Sequence, residues 1–207
     1  GLKNTIIITF FAVLLGVFLG FLIAIVRSTH DKTGKLKILN VICRVYLTVI
    51  RGTPTMVQLL IVYYVIFATV DPGKVIVAII AFGMNSAAYL AEIVRSGIMA
   101  VDNGQFEAGR SLGLNYTQTM TKIILPQAVK NILPALGNEM IVLLKETSIS
   151  GYIGLTDLTR GGDIIRSQTY SALFPLLAVA AIYLVIVCFL TYLVGRLERR
   201  LRNNERK

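Results

Sequence analysis

A carboxylate inside an apolar run is costly to keep in hydrocarbon, so it is the first residue to weigh for function. Glu92 is in that position, and Asn85, Tyr89 and Ser96 share its face at helical spacing. A carboxylate there suits a guanidinium or ammonium group, which it would hold through charge-assisted hydrogen bonds. The competing arrangement pairs it internally with Arg95. A second constellation is Arg51-Gly52-Thr53-Pro54, which interrupts an apolar stretch, with Gln58 one turn further on. Broken helices in transporters present free amides to anionic groups, so Arg51 and this break would suit the carboxylate of an amino acid. Otherwise Pro54 is an elbow and Arg51 reaches to the interface. Glu146 is a third candidate, with Lys145 as a competing neighbour. No His/Asp/Glu cluster or nucleophile–base set suggests an enzyme, and no phosphate-cradling G-x-x-x-x-G-K-[ST] segment occurs. The chemistry is that of binding and release.

The polar segment between Met99 and Ile132 carries a different pattern. Glu107-Ala108-Gly109 is followed after three residues by Gly113, and after nine more by Ile123-Ile124-Leu125-Pro126. Asp102 or Asn103 can cap a short helix running through Glu107 to Leu112, and Gly113 can end it in the left-handed conformation. Leu112 and Leu114 are then left as apolar contacts on an otherwise exposed loop.

The elements that position these residues follow from composition. The 207 residues are 55% hydrophobic and 15% charged, with mean hydropathy +0.71. Soluble domains carry about 25% charged residues, and several apolar runs of some twenty residues cannot hide in one soluble core. Such runs are the length that crosses a bilayer. The spans are expected over Ile6–Val26, an elbow from Ile38 with a short spanning half to Val70, Val75–Gly97, a fourth from Pro134, and Leu173–Val194. Ala12, Gly16, Gly20 and Ala24 form one close-packing ridge, and Gly83, Ala87 and Ala91 another. Ser150–Ser171 is expected to be an outer loop with one short helix.

The net charge of +10 does not point to nucleic acid, because 15 of the 21 basic residues cluster after the first span, around the central polar loop and in the tail. That is the positive-inside pattern. The prediction is an all-α polytopic protein with five transmembrane helices, its N-terminus outside and its C-terminus cytoplasmic, over a single domain 1–207. Cys43 and Cys188 are expected to be small buried hydrophobes, and His30 a solvated loop residue.

The loop pattern resembles the signature EAA-x3-G-x9-I-x-LP of permease subunits of type I ABC importers, with Gly109 where Ala is more usual. Arg51 to Pro54 with Val57-Gln58-Leu59 and Tyr63-Tyr64, Lys145 to Ser148, Ile153-Gly154 with Asp157-Leu158, and Leu197 to Arg200 resemble the polar amino-acid subfamily. The resemblance implies that Glu107, Ala108, Gly109, Leu112, Gly113 and Leu114 form a coupling helix between spans three and four. It also implies a second permease subunit, an ATPase subunit that binds the ATP, an extracytoplasmic solute-binding protein, and a place in the cell (inner) membrane. The cargo it implies is a polar amino acid. The charges of Glu92 and Arg51 favour a cationic one such as arginine, histidine or lysine. No cofactor or metal is expected in this chain, and an ATP-independent transporter or channel is the alternative.

Overall fold

The computed structural model describes residues 1–203 and contains helices without strands among them. Helix α1 (Leu2–Thr33) is followed by α2 (Lys37–Arg51) and α3 (Thr55–Ile61), which runs on as a π-helical turn over Val62–Ile66. Then come α4 (Lys74–Met99), α5 (Asn103–Ser111) and α6 (Tyr116–Thr119). A second π-helical turn, Met120–Ile124, leads straight into α7 (Leu125–Glu146). A 3-10 segment (Thr147–Ile153), α8 (Leu158–Thr169) and α9 (Leu173–Asn203) complete the order.

Helices α1, α4 and α9 are long and apolar enough to cross a membrane, and the α2–α3 pair, bent by 109°, makes a fourth crossing if it counts as one span. Helix α7 has 22 residues but carries Lys130, Glu139, Lys145 and Glu146. It begins at Leu125 rather than near Pro134. Pro126 lies in its first turn, and Pro134 is accommodated inside. The polar stretch 99–132 is accordingly mostly helical. Helix α1 likewise extends to Thr33, so His30 lies in its last turns and its Nδ1 meets Lys35 O at 2.9 Å. Cys43 is buried as expected, but Cys188 is exposed on α9, because its neighbours face outward.

The small-residue ridges explain the main packing. Ala12, Gly16, Gly20 and Ala24 of α1 lie along α4, where Ala87, Ala88 and Ala91 are buried. A Cβ on Gly20 would stand 3.1 Å from both Ala87 O and Ala91 N, so only glycine lets the backbones meet there. Around this seam, Leu59, Val62, Val77, Ala81, Phe82 and Leu143 form one apolar core. Val94, Ile98, Ile124, Ala128 and Ile132 form another, towards the α5 end. The first core fixes α3 on α4, and the second fixes the start of α7.

Candidate functional site

The break between α2 and α3 follows directly from Pro54. In a continuous helix the Ile50 carbonyl would accept from residue 54, which here has no N–H. Gln58 supplies the missing donor: its Nε2 reaches Ile50 O at 2.7 Å, Thr53 O at 3.0 Å and Thr53 Oγ1 at 2.8 Å. The other end of the same amide, Oε1, accepts from Asn85 Nδ2 at 2.8 Å. Gln58 and Asn85, both buried, therefore tie the bend to α4. Tyr46 OH donates to Met84 O and ties α2 to the same helix.

This bracing sets Arg51 over the ring of Tyr89, with the guanidinium carbon 5.6 Å from the ring centre. Both residues line a cleft of about 410 Å³ with Glu92, Ser96, Asn131 and Glu139. The volume falls within the about 300–1,000 Å³ usual for small-molecule sites. Of the six sequence-predicted binding residues, the structure brings Arg51, Tyr89 and Glu92 to the lining of this cleft. Asn85 and Gln58 stand behind it as braces. Glu146, at the last position of α7, is two turns beyond Glu139 and outside the cleft.

Two features were not singled out from the sequence. Arg27 of α1 donates through Nη1 to Glu92 Oε2 at 3.0 Å, while Arg95 Nε donates to Glu92 Oε1 at 3.3 Å. Arg95 Nη1 also meets Asp31 Oδ2 at 2.9 Å. Glu92 is thus held by two cations. Glu139, which also lines the cleft, has Ser86 Oγ at 3.5 Å and, among the described residues, no cationic partner within 4.0 Å. As an ionisable residue in an apolar helix, Glu139 met the same criterion that selected Glu92. Asn131, Ala135 and Glu139, four apart and all lining the cleft, gave the signal. The partnership of Arg27 and Glu92 links positions 65 apart and had no local trace.

The loop helix takes the expected shape. Asp102 caps α5, with its Oδ1 accepting from Gly104 N at 2.6 Å, and Gly113 follows at φ 76°. Leu114 N donates to Gly109 O at 3.0 Å, closing the turn. Glu107, Ala108 and Leu112 are exposed, Leu114 is half-buried and Gly109 is buried. A Cβ at 109 would come within 2.6 Å of Thr119 Cγ2. The glycine in place of the more usual alanine is matched to this contact. Asn115 and Gln118 form a reciprocal capping box that starts α6 and places Thr119 there.

Residues 12–203 match the family described as binding-protein-dependent transport system inner membrane component. The chain belongs to that family. The resemblance to the permease subunits of ABC importers is thereby borne out, and this component is a transport subunit rather than an enzyme. It is 38% identical over 207 aligned residues to the arginine transport system permease protein ArtQ of Bacillus subtilis, covering 99% of this chain and 92% of that one. It is 35% identical to the glutamine transport system permease protein GlnP of Escherichia coli K12, covering 98% and 91%. Among solved structures, an amino acid ABC transporter with histidines superposes with TM-score 0.89 at 44% identity, over 97% of this component and 92% of that chain. The inward-facing MetNI methionine ABC transporter, at 19% identity and TM-score 0.80 over 97% and 94%, shares the fold.

Proposed function

We propose that this component is a membrane-spanning subunit of an ATP-driven importer of polar amino acids, that its residues 1–207 form one transmembrane domain, and that its cargo is cationic. The family and the names of its arginine and glutamine relatives support the class of cargo. The observation that carries the charge preference is the cleft, which sets Arg51, over Tyr89, together with the carboxylate of Glu139. Arg51 suits the cargo's carboxylate, Glu139 its guanidinium or ammonium group, and Asn131 and Ser96 offer neutral hydrogen bonds. Glu92, already paired twice, contributes wall and field rather than the first contact.

The spans in this reading are α1, α2–α3, α4, α7 and α9. The start of α1 lies outside the cell membrane, and the basic tail lies in the cytoplasm. The placement of basic residues supports this orientation. Helix α5 docks on a separate ATPase subunit, which binds the ATP, and Leu112, 76% exposed, is the apolar contact it offers. A second permease subunit and an extracytoplasmic solute-binding protein complete the importer. No cofactor or metal is assigned to this chain.

The test is equilibrium binding of labelled arginine and glutamine to the purified permease–ATPase complex in nanodiscs. Glu139→Gln should weaken arginine binding about tenfold more than glutamine binding, and Arg51→Gln should weaken both. Equal losses for the two amino acids in Glu139→Gln would overturn the cationic assignment.

A further inference from the structure

The cleft holds two carboxylates in very different circumstances. Both oxygens of Glu92 are occupied, one by Arg27 and one by Arg95, and Arg95 turns its other nitrogen to Asp31. Two guanidiniums and two carboxylates close into a neutral set that joins α1 to α4. The Arg27 side chain is the most buried of the four, at 15% exposure. Glu139 has no such partner among the described residues. A cationic cargo that bound Glu92 would have to displace Arg27, a charge-assisted contact between partly buried groups.

We infer that Arg27, which does not line the cleft, is a specificity-determining positioning residue: it turns Glu92 toward α1, cancels its charge and leaves Glu139 as the single carboxylate open to cargo. This rests on the reading of Glu139 given above. Its physical content is a limit on charge. With Arg27 in place the cleft offers one free anionic anchor and one cationic anchor, Arg51. Without Arg27, Glu92 keeps only the neighbouring contact from its own helix at 3.3 Å. Pairs of that kind hold side chains weakly, so Glu92 can turn into the cleft as a replacement anchor.

This predicts a rescue that a merely structural Arg27 would not produce. Labelled arginine and glutamine are titrated against the intact permease–ATPase complex in nanodiscs, and the ratio of the two affinities is read. Glu139→Gln lowers the ratio about tenfold. Arg27→Gln added to it should restore at least about threefold of that loss, since part of the Glu92 charge stays shared with Arg95. Adding Glu92→Gln as a third change should remove the restoration. Arg27→Met with Glu139→Gln removes the same cation from Glu92 while keeping most of the apolar stem. It serves as the second route if the Arg27→Gln variant does not accumulate. A ratio that falls in Glu139→Gln and stays down in both double variants overturns the role of Arg27 while leaving the cleft assignment intact. A ratio unchanged by Glu139→Gln overturns both.

Discussion

Asn85 Nδ2 donates to Gln58 Oε1 at 2.8 Å, and through that contact α4 holds the amide that caps the carbonyl freed by Pro54. The hydrogen bond is buried at both ends, so removing one partner leaves a polar group without water. Asn85→Leu should lower the stability of the complex by about 1–3 kcal/mol. Gln58→Leu should cost more, because it also strands Ile50 O and Thr53 O. Thermal denaturation of the two variants checks this order, and a smaller loss for Gln58→Leu would show that the bend holds itself.

The close approach of Gly109 to Thr119 makes a second prediction. Gly109→Ala overpacks the junction of α5 with the start of α7, a change that typically costs about 1–3 kcal/mol. Cargo-stimulated ATP hydrolysis should fall while the permease still inserts. Thr119 Oγ1 is buried without a partner among the described residues, so losing it is cheap, and Gly109→Ala/Thr119→Ala should recover most of the coupling. Failure of the double variant to recover would place the defect elsewhere on α5.

Orientation is checked by single cysteines at Ser167 and Arg199, after replacement of Cys43 and Cys188. A membrane-impermeant thiol reagent added outside should label position 167 and spare position 199. Labelling of both from one side would rule out the five-span arrangement.

The turn into α8 predicts a dependence on pH. Asp157 is buried and accepts from Arg160 N and Thr159 N at 3.0 and 3.2 Å. Burial pushes its carboxyl above the usual aspartate range, against the pull of those amides. A raised acid is favoured in its protonated form by the folded state. Its contribution is therefore complete below the ordinary aspartate value of about 4 and is lost as pH rises through the raised one. Asp157→Asn should flatten that part of the stability profile, as read by hydrogen exchange of the α8 amides across pH. An unchanged slope would show that another group titrates there.

Much of this was legible before any coordinates. The runs 6–26, 75–97 and 173–194 fall inside α1, α4 and α9, because hydrocarbon-length apolar segments have few alternatives. The cap at Asp102 and the positive φ at Gly113 follow from residue type. The fourth long helix was harder. Pro134 read as a beginning, although a proline can sit inside a helix that its neighbours stabilise. The cleft was half visible: Arg51, Tyr89 and Glu92 line it, but Asn85 and Gln58 are spent on each other. What escaped were tertiary facts, namely that Arg27 reaches Glu92 and that Glu139 faces the same space. Neither has any signature in local periodicity.

None of the residues in the most apolar 18-residue stretch of α9 is buried against the rest of the chain. Its anchorage to the bundle comes from a few points, among them Val194 beside Gly137 and Val179 beside Gly162. The free energy that keeps α9 in place is therefore drawn from its surroundings, as transfer into acyl chains or onto a neighbouring subunit. Substitutions along its outward face would register in bilayer thickness preference and in assembly. A melting curve of the isolated subunit in detergent would pass over them.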